Sequence, residues 1–202
     1  MKWTDSRQST FLLNWFLATV IGMIAGKCFS LGFESDRIFL MINLNWITAI
    51  GIFITLTQWL VLQNVAPVKW WIISSFLGFL LAAIISGLVL ETTKGASLSN
   101  EFHRSVYNFL EGAIIGLCVG VIQWFSIRHI LSNPKMWIFA NILGWSFGIM
   151  IHRFWPSAFE IAYIPQRFIW LLNTIESCIP IAGIPGLVFL KLPNLVSEKG
   201  TT

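Results

Sequence analysis

Long apolar runs alternate along the chain with short polar or charged stretches. The cleanest run, 70–90, carries no ionisable side chain across its 21 residues. A helix rises about 1.5 Å per residue, so about 20 such residues cross the roughly 30 Å hydrocarbon core of a bilayer. The alternation predicts spans near 11–33, 46–62, 70–90, 110–127, 137–151 and 174–190. Backbone groups in lipid must be satisfied within their own segment, so these runs are predicted to be helices. Pro180 and Pro185 interrupt the sixth, and the preceding 167–172 stretch would either extend it or lie along the interface.

A second pattern lies on top of the hydropathy. Helix 1 reads Trp15, Thr19, Gly22, Gly26; helix 3 reads Trp71, Ser75, Gly78, Ala82; helix 5 reads Trp137, Asn141, Gly144, Gly148. Steps of 4, 3 and 4 residues bring all four positions to one helix face. Each odd-numbered helix therefore presents a small-residue groove with one hydroxyl or amide. In lipid, burial of apolar surface gives helices no reason to associate; small residues that let backbones approach and polar side chains that bond across the contact supply one.

The even helices carry Gly51, Thr55, Gln58 and Trp59 in helix 2, and Gly112, Gly116, Gly120, Gln123 and Trp124 in helix 4. Helix 6 has Gly183 and Gly186, but Val188-Phe189 stand where Gln-Trp is expected. The fold class predicted is thus an all-α integral membrane protein. Its single transmembrane domain, 1–202, has six helices in three parallel two-helix repeats (about 9–63, 67–130 and 134–192), the third degenerate. A ring with pseudo-threefold symmetry is the simplest arrangement, and a side-by-side array would use the same contacts.

Composition agrees: 56% of the residues are hydrophobic, 11% are charged, and the mean hydropathy is +0.75. The net charge of +4 is scattered as single residues near the ends of spans. That distribution excludes a nucleic-acid surface and points to membrane lipids, with other membrane proteins as further partners. Placing the amino terminus on side one gives that side +5 and the other −1, Lys27, inside the first predicted span, being counted with the second. The basic residues then put both termini in the cytoplasm of a cell whose plasma or inner membrane (or thylakoid) holds the chain. The first apolar run is too long for a signal-peptide core, and Lys27 before Cys28 does not suit lipoprotein cleavage. Cys28, Cys118 and Cys178 have no metal-ligand spacing; Cys28 and Cys178 would fall near one membrane face, but a shared face does not bring their Cα atoms together, and no disulfide is expected.

At Gln58-Trp59-Leu60-Val61-Leu62 followed by Pro67 and Trp70-Trp71, and again at Gln123-Trp124 followed by Pro134 and Trp137, the chain resembles a group of small prokaryotic, cyanobacteria-type multi-span membrane proteins with glycine-rich helices ending in Gln-Trp. The resemblance implies a fold and no activity. Mitochondrial carriers share the three-by-two helix count, but their charged Pro-x-[Asp/Glu]-x-x-[Lys/Arg] signature is missing at Pro67 and Pro134.

Candidate chemistry is sparse. His103, His129 and His152 divide between the two sides without ligand spacing, so neither metal nor cofactor is expected; His103 and His152 read as solvated loop or interface residues. Glu111 and Glu176 fall near the starts of even helices, where the backbone dipole favours an acid at the water interface. No nucleophile, base or carboxylate pair suggests catalysis. The polar and small residues singled out are Gln58, Gln123, Asn141, Ser75, Thr19, Gly112, Gly116, Gly120, Gly144 and Gly148. As ties between helices, they make a non-catalytic scaffold, assembly or interaction subunit within the bilayer. As the lining of a polar interior, they make a transporter or channel for a small neutral or weakly polar solute. Trp59, Trp71, Trp124 and Trp137 are expected to form an interfacial belt.

Overall fold

The computed structural model describes residues 5–31, 39–66, 68–93, 101–158 and 166–190. They form six helices and, among the described residues, no strand: α1 (Asp5–Leu31), α2 (Phe39–Leu62), α3 (Trp71–Thr93), α4 (Glu101–Ile127), α5 (Lys135–Ala158) and α6 (Gln166–Phe189). Four are long and apolar enough to cross a membrane, over Arg7–Ser30, Trp71–Val89, Phe102–Ile127 and Ile169–Phe189; α2 adds the shorter apolar stretch Ile47–Leu62. The 167–172 stretch belongs to α6, which continues through Pro180 and Pro185. Each proline removes one backbone donor and so frees a carbonyl four residues earlier, at Glu176 and Ile181. Pro67 and the loop charges at Lys2, Glu34, Asp36, Lys94, Glu160 and Lys191 lie outside the described residues.

Each helix packs on its neighbours in sequence, and α6 packs on α1. The six therefore close into a ring. Polar residues turn inward: Thr19, Gln58, Ser75, Gln123, Asn141, Ser146 and Thr174 are all buried. Leucine and isoleucine turn outward, with Leu13, Ile21, Leu60, Leu88, Leu117, Ile179 and Leu187 exposed. Such an inside-out surface would associate in water, whereas hydrocarbon solvates it without cost.

The ring is held by close helix contact. A Cβ added at Gly22 would lie 2.6 Å from the Cα of Ile54 in α2, and one at Gly116 would run into the Asn141 carbonyl of α5. Gly112 and Gly120 also face the α5 backbone, while Gly144 and Gly148 face α6 around Pro180, Ile181 and Ser177. At all of these except Gly120, whose nearest neighbours would stand 3.1–3.4 Å from the added atom, any side chain would force two helices apart.

Candidate functional site

At the end of the ring that carries the 63–70 and 128–136 turns, α1, α3 and α5 each turn a tryptophan inward, within the first turn of α3 and α5 and further along α1. Trp15, Trp71 and Trp137 are at most 1% exposed, and their rings stand 6.1, 5.8 and 6.4 Å apart around a triangle. Interplanar angles of 66 to 73° set ring edges toward ring faces, the arrangement the aromatic quadrupole favours. Phe189 of α6 fills the middle at 5.3, 6.5 and 4.9 Å from Trp15, Trp71 and Trp137. The expected interfacial belt is thus corrected for Trp71 and Trp137, which plug the ring, while Trp59 and Trp124 are half-buried beside them. Trp71 and Trp137 share the helix face of the glycine groove, and a groove face turns inward.

One turn deeper lie the glutamines. Gln58 Nε2 donates to Thr19 Oγ1 at 3.1 Å, and that hydroxyl donates to the Trp15 carbonyl at 2.9 Å. Gln123 Nε2 donates to Ser75 Oγ at 2.8 Å. Both ties join an even helix to the odd helix before it. Asn141 has no such glutamine: its Nδ2 donates back to the Trp137 carbonyl at 2.9 Å. The element facing it is Pro185, which lines one small cavity with Gln58, Gln123, Asn141, Trp15 and Trp137. The expected register, with Val188-Phe189 in the Gln-Trp place, is corrected here. Contacts of Gly22 with Ile54, Gly78 with Val119 and Gly144 with Ile181 bring Pro185 beside the glutamines.

The opposite end is built differently. Lys27 Nζ lies 3.2 Å from His152 Nε2 and donates to Thr174 Oγ1 at 3.0 Å, with the Trp170 ring 5.5 Å away. The contact with His152 reaches from α1 to α5, two helices that do not adjoin in the ring. Thr174 uses its own proton on the Trp170 carbonyl, at 2.8 Å, so its oxygen is oriented to accept from the lysine. Sequence reasoning missed this centre, having counted Lys27 only as a charge of the second side and taken His152 for a solvated residue. Both are half-buried within helices, and His152 lies where α5 continues past the predicted span 137–151.

Glu111 is 3% exposed rather than placed at the interface. The reason is that α4 starts at Glu101, about two and a half turns earlier than the apolar run suggests. Glu176, half-buried, likewise lies well inside α6. His103 and His129 are exposed, and among the described residues no group of three His, Cys, Asp or Glu side chains could hold a metal. The cysteines are free, Cys28 exposed and Cys178 buried. In comparisons with protein families, with curated proteins and with solved structures, no match to this chain is found.

Proposed function

We propose that the chain is a six-span integral membrane protein made of three parallel two-helix units, α1-α2, α3-α4 and α5-α6, that serves as a non-catalytic scaffold or interaction subunit within the bilayer. The observation that carries this reading is the use of the intramembrane amides: Gln58 and Gln123 are spent on Thr19 and Ser75 inside the ring. The interior they face is filled by Ile54, Phe79, Val119, Trp145 and Ile181. A scaffold needs a rigid body and an apolar outer face, and this chain has the buried ties and outward leucines of one. Both termini are cytoplasmic in this reading, as are the turns at 63–70 and 128–136. Cysteine introduced at Lys69 and at Ser97, on a background lacking native cysteines, should be labelled from opposite sides; labelling from one side would overturn the six-span topology.

The alternative, a path for a small neutral solute, is favoured by one observation: Gln58, Gln123 and Asn141 border the same cavity. That cavity measures only about 10 Å³, and the four packed rings of Trp15, Trp71, Trp137 and Phe189 stand across the adjoining end. Proteoliposomes should accordingly release urea and glycerol no faster than protein-free vesicles in stopped-flow light scattering. Faster release would replace the scaffold with the carrier.

A further inference from the structure

We infer that the cavity beside Gln123 is a binding site for a single water molecule, held between the side-chain carbonyl of Gln123 and the indole N–H of Trp137. Both residues line the cavity, both are at most 2% exposed, and Gln123 Oε1 and Trp137 Nε1 each have no hydrogen-bond partner in the protein. One atom only accepts and the other only donates. Water does both, so one molecule can satisfy the pair. The volume of about 10 Å³ is at the lower limit for one water. Any larger solute is excluded by Ile54, Val119 and Ile181 on the walls. No carboxylate lines the cavity, so a cation finds no counter-charge there.

The origin of the site lies in the departure of the third unit from the other two. Gln58 and Gln123 each reach the hydroxyl of the preceding odd helix. The corresponding side chain on α6 is Pro185, whose ring has no donor and is shorter than a glutamine, leaving Asn141 to bond its own helix. The missing amide leaves the space, and Gln123 Oε1 and Trp137 Nε1 are the unpartnered polar atoms among the residues that line it. A polar group in hydrocarbon without a partner is costly, so a water resident at this point stabilises the ring where the repeat is broken. This holds whether the ring is a scaffold or a carrier.

The test uses the full chain with ¹⁵N-labelled indoles in detergent micelles, reading cross-relaxation between water and indole N–H protons. Trp71 is the internal control: its N–H is equally buried and without a partner, but it does not line the cavity. Trp→Phe substitutions at 71 and 137 assign the two resonances. Trp137 should show a cross-peak with the sign of a long-lived water, and Trp71 none. Pro185→Gln, which fills the space, and Gln123→Met, which removes the acceptor, should each abolish the Trp137 peak. No peak at Trp137, equal peaks at both indoles, or a folded Pro185→Gln protein that keeps its peak would each overturn the assignment. Should neither variant fold, the contrast between Trp137 and Trp71 in the parent decides alone.

Discussion

At the end of the ring bearing the 63–70 and 128–136 turns, the interior is closed by neutral groups that recur from one helix pair to the next: three tryptophans, then the Gln58-Thr19 and Gln123-Ser75 bonds. At the opposite end, the interior holds a lysine that occurs once. In the three-unit alignment proposed above, Lys27 corresponds to Ala83 and Ile149, both buried apolar residues, and its partners His152 and Thr174 correspond to Ser86 and Gly112 in the middle unit. What recurs can be satisfied within each pair of helices, as a packing device requires. What occurs once draws on α1, α5 and α6 together, and an ionisable group at such a place in a span is the first point at which to look for activity beyond scaffolding.

The largest effect expected concerns the recurrent part. Gly116→Leu drives a side chain into the Asn141 and Ile142 backbone of α5, which has no rotamer to yield. It should cost more than about 3 kcal/mol, seen as loss of folded protein in detergent. Leu117→Ala, on the outward face next to it, should leave the melting temperature almost unchanged. Equal stability of the two variants would mean that the α4–α5 contact does not depend on the glycine.

The singular part is sharpened by moving its charge. Ala83→Lys puts a lysine at the position corresponding to Lys27 in the proposed alignment, but within the apolar cluster that holds Ile47, Phe79 and Ile115 instead of beside Thr174 and His152. A charge in mid-span without partners costs about 2.5–3.5 kcal/mol, and the variant should lose stability on that scale. A variant as stable as the parent would show that position 27 is not special, and the contrast between the ends would collapse.

Much of this contrast can be read from the residues. The 4-3-4 spacing from Trp15, Trp71 and Trp137 already puts each tryptophan on the stripe of its glycines, and the stripe faces the neighbouring helix. The belt reading failed because tryptophan near the end of a span has two physical roles, and hydropathy does not separate them; sharing a face with the groove does. Lys27 was hidden because it was counted with the charges of the second side although it lies inside the first predicted span, 11–33, and inside α1. Comparison with Ala83 and Ile149 would have exposed it. The third helix pair misled for another reason: no glutamine marks the register on α6, while helix contacts align Ile181 with Ile54 and Val119. Phe189 consequently joins Leu62 and Ile127 in the layer under the tryptophans. No periodicity reports the small cavity, which exists because Pro185 replaces an amide.

The central claim is that the intramembrane glutamines are ties between helices, and the melting temperature of Gln123→Leu in detergent tests it without reference to any solute. Removing the amide leaves the Ser75 hydroxyl without its donor in an interior closed to bulk water. The account predicts a loss of about 1–2 kcal/mol with reduced folded yield. A Gln123→Leu protein as stable as the parent would contradict it, because only a hydrated path could resolvate Ser75 at no cost.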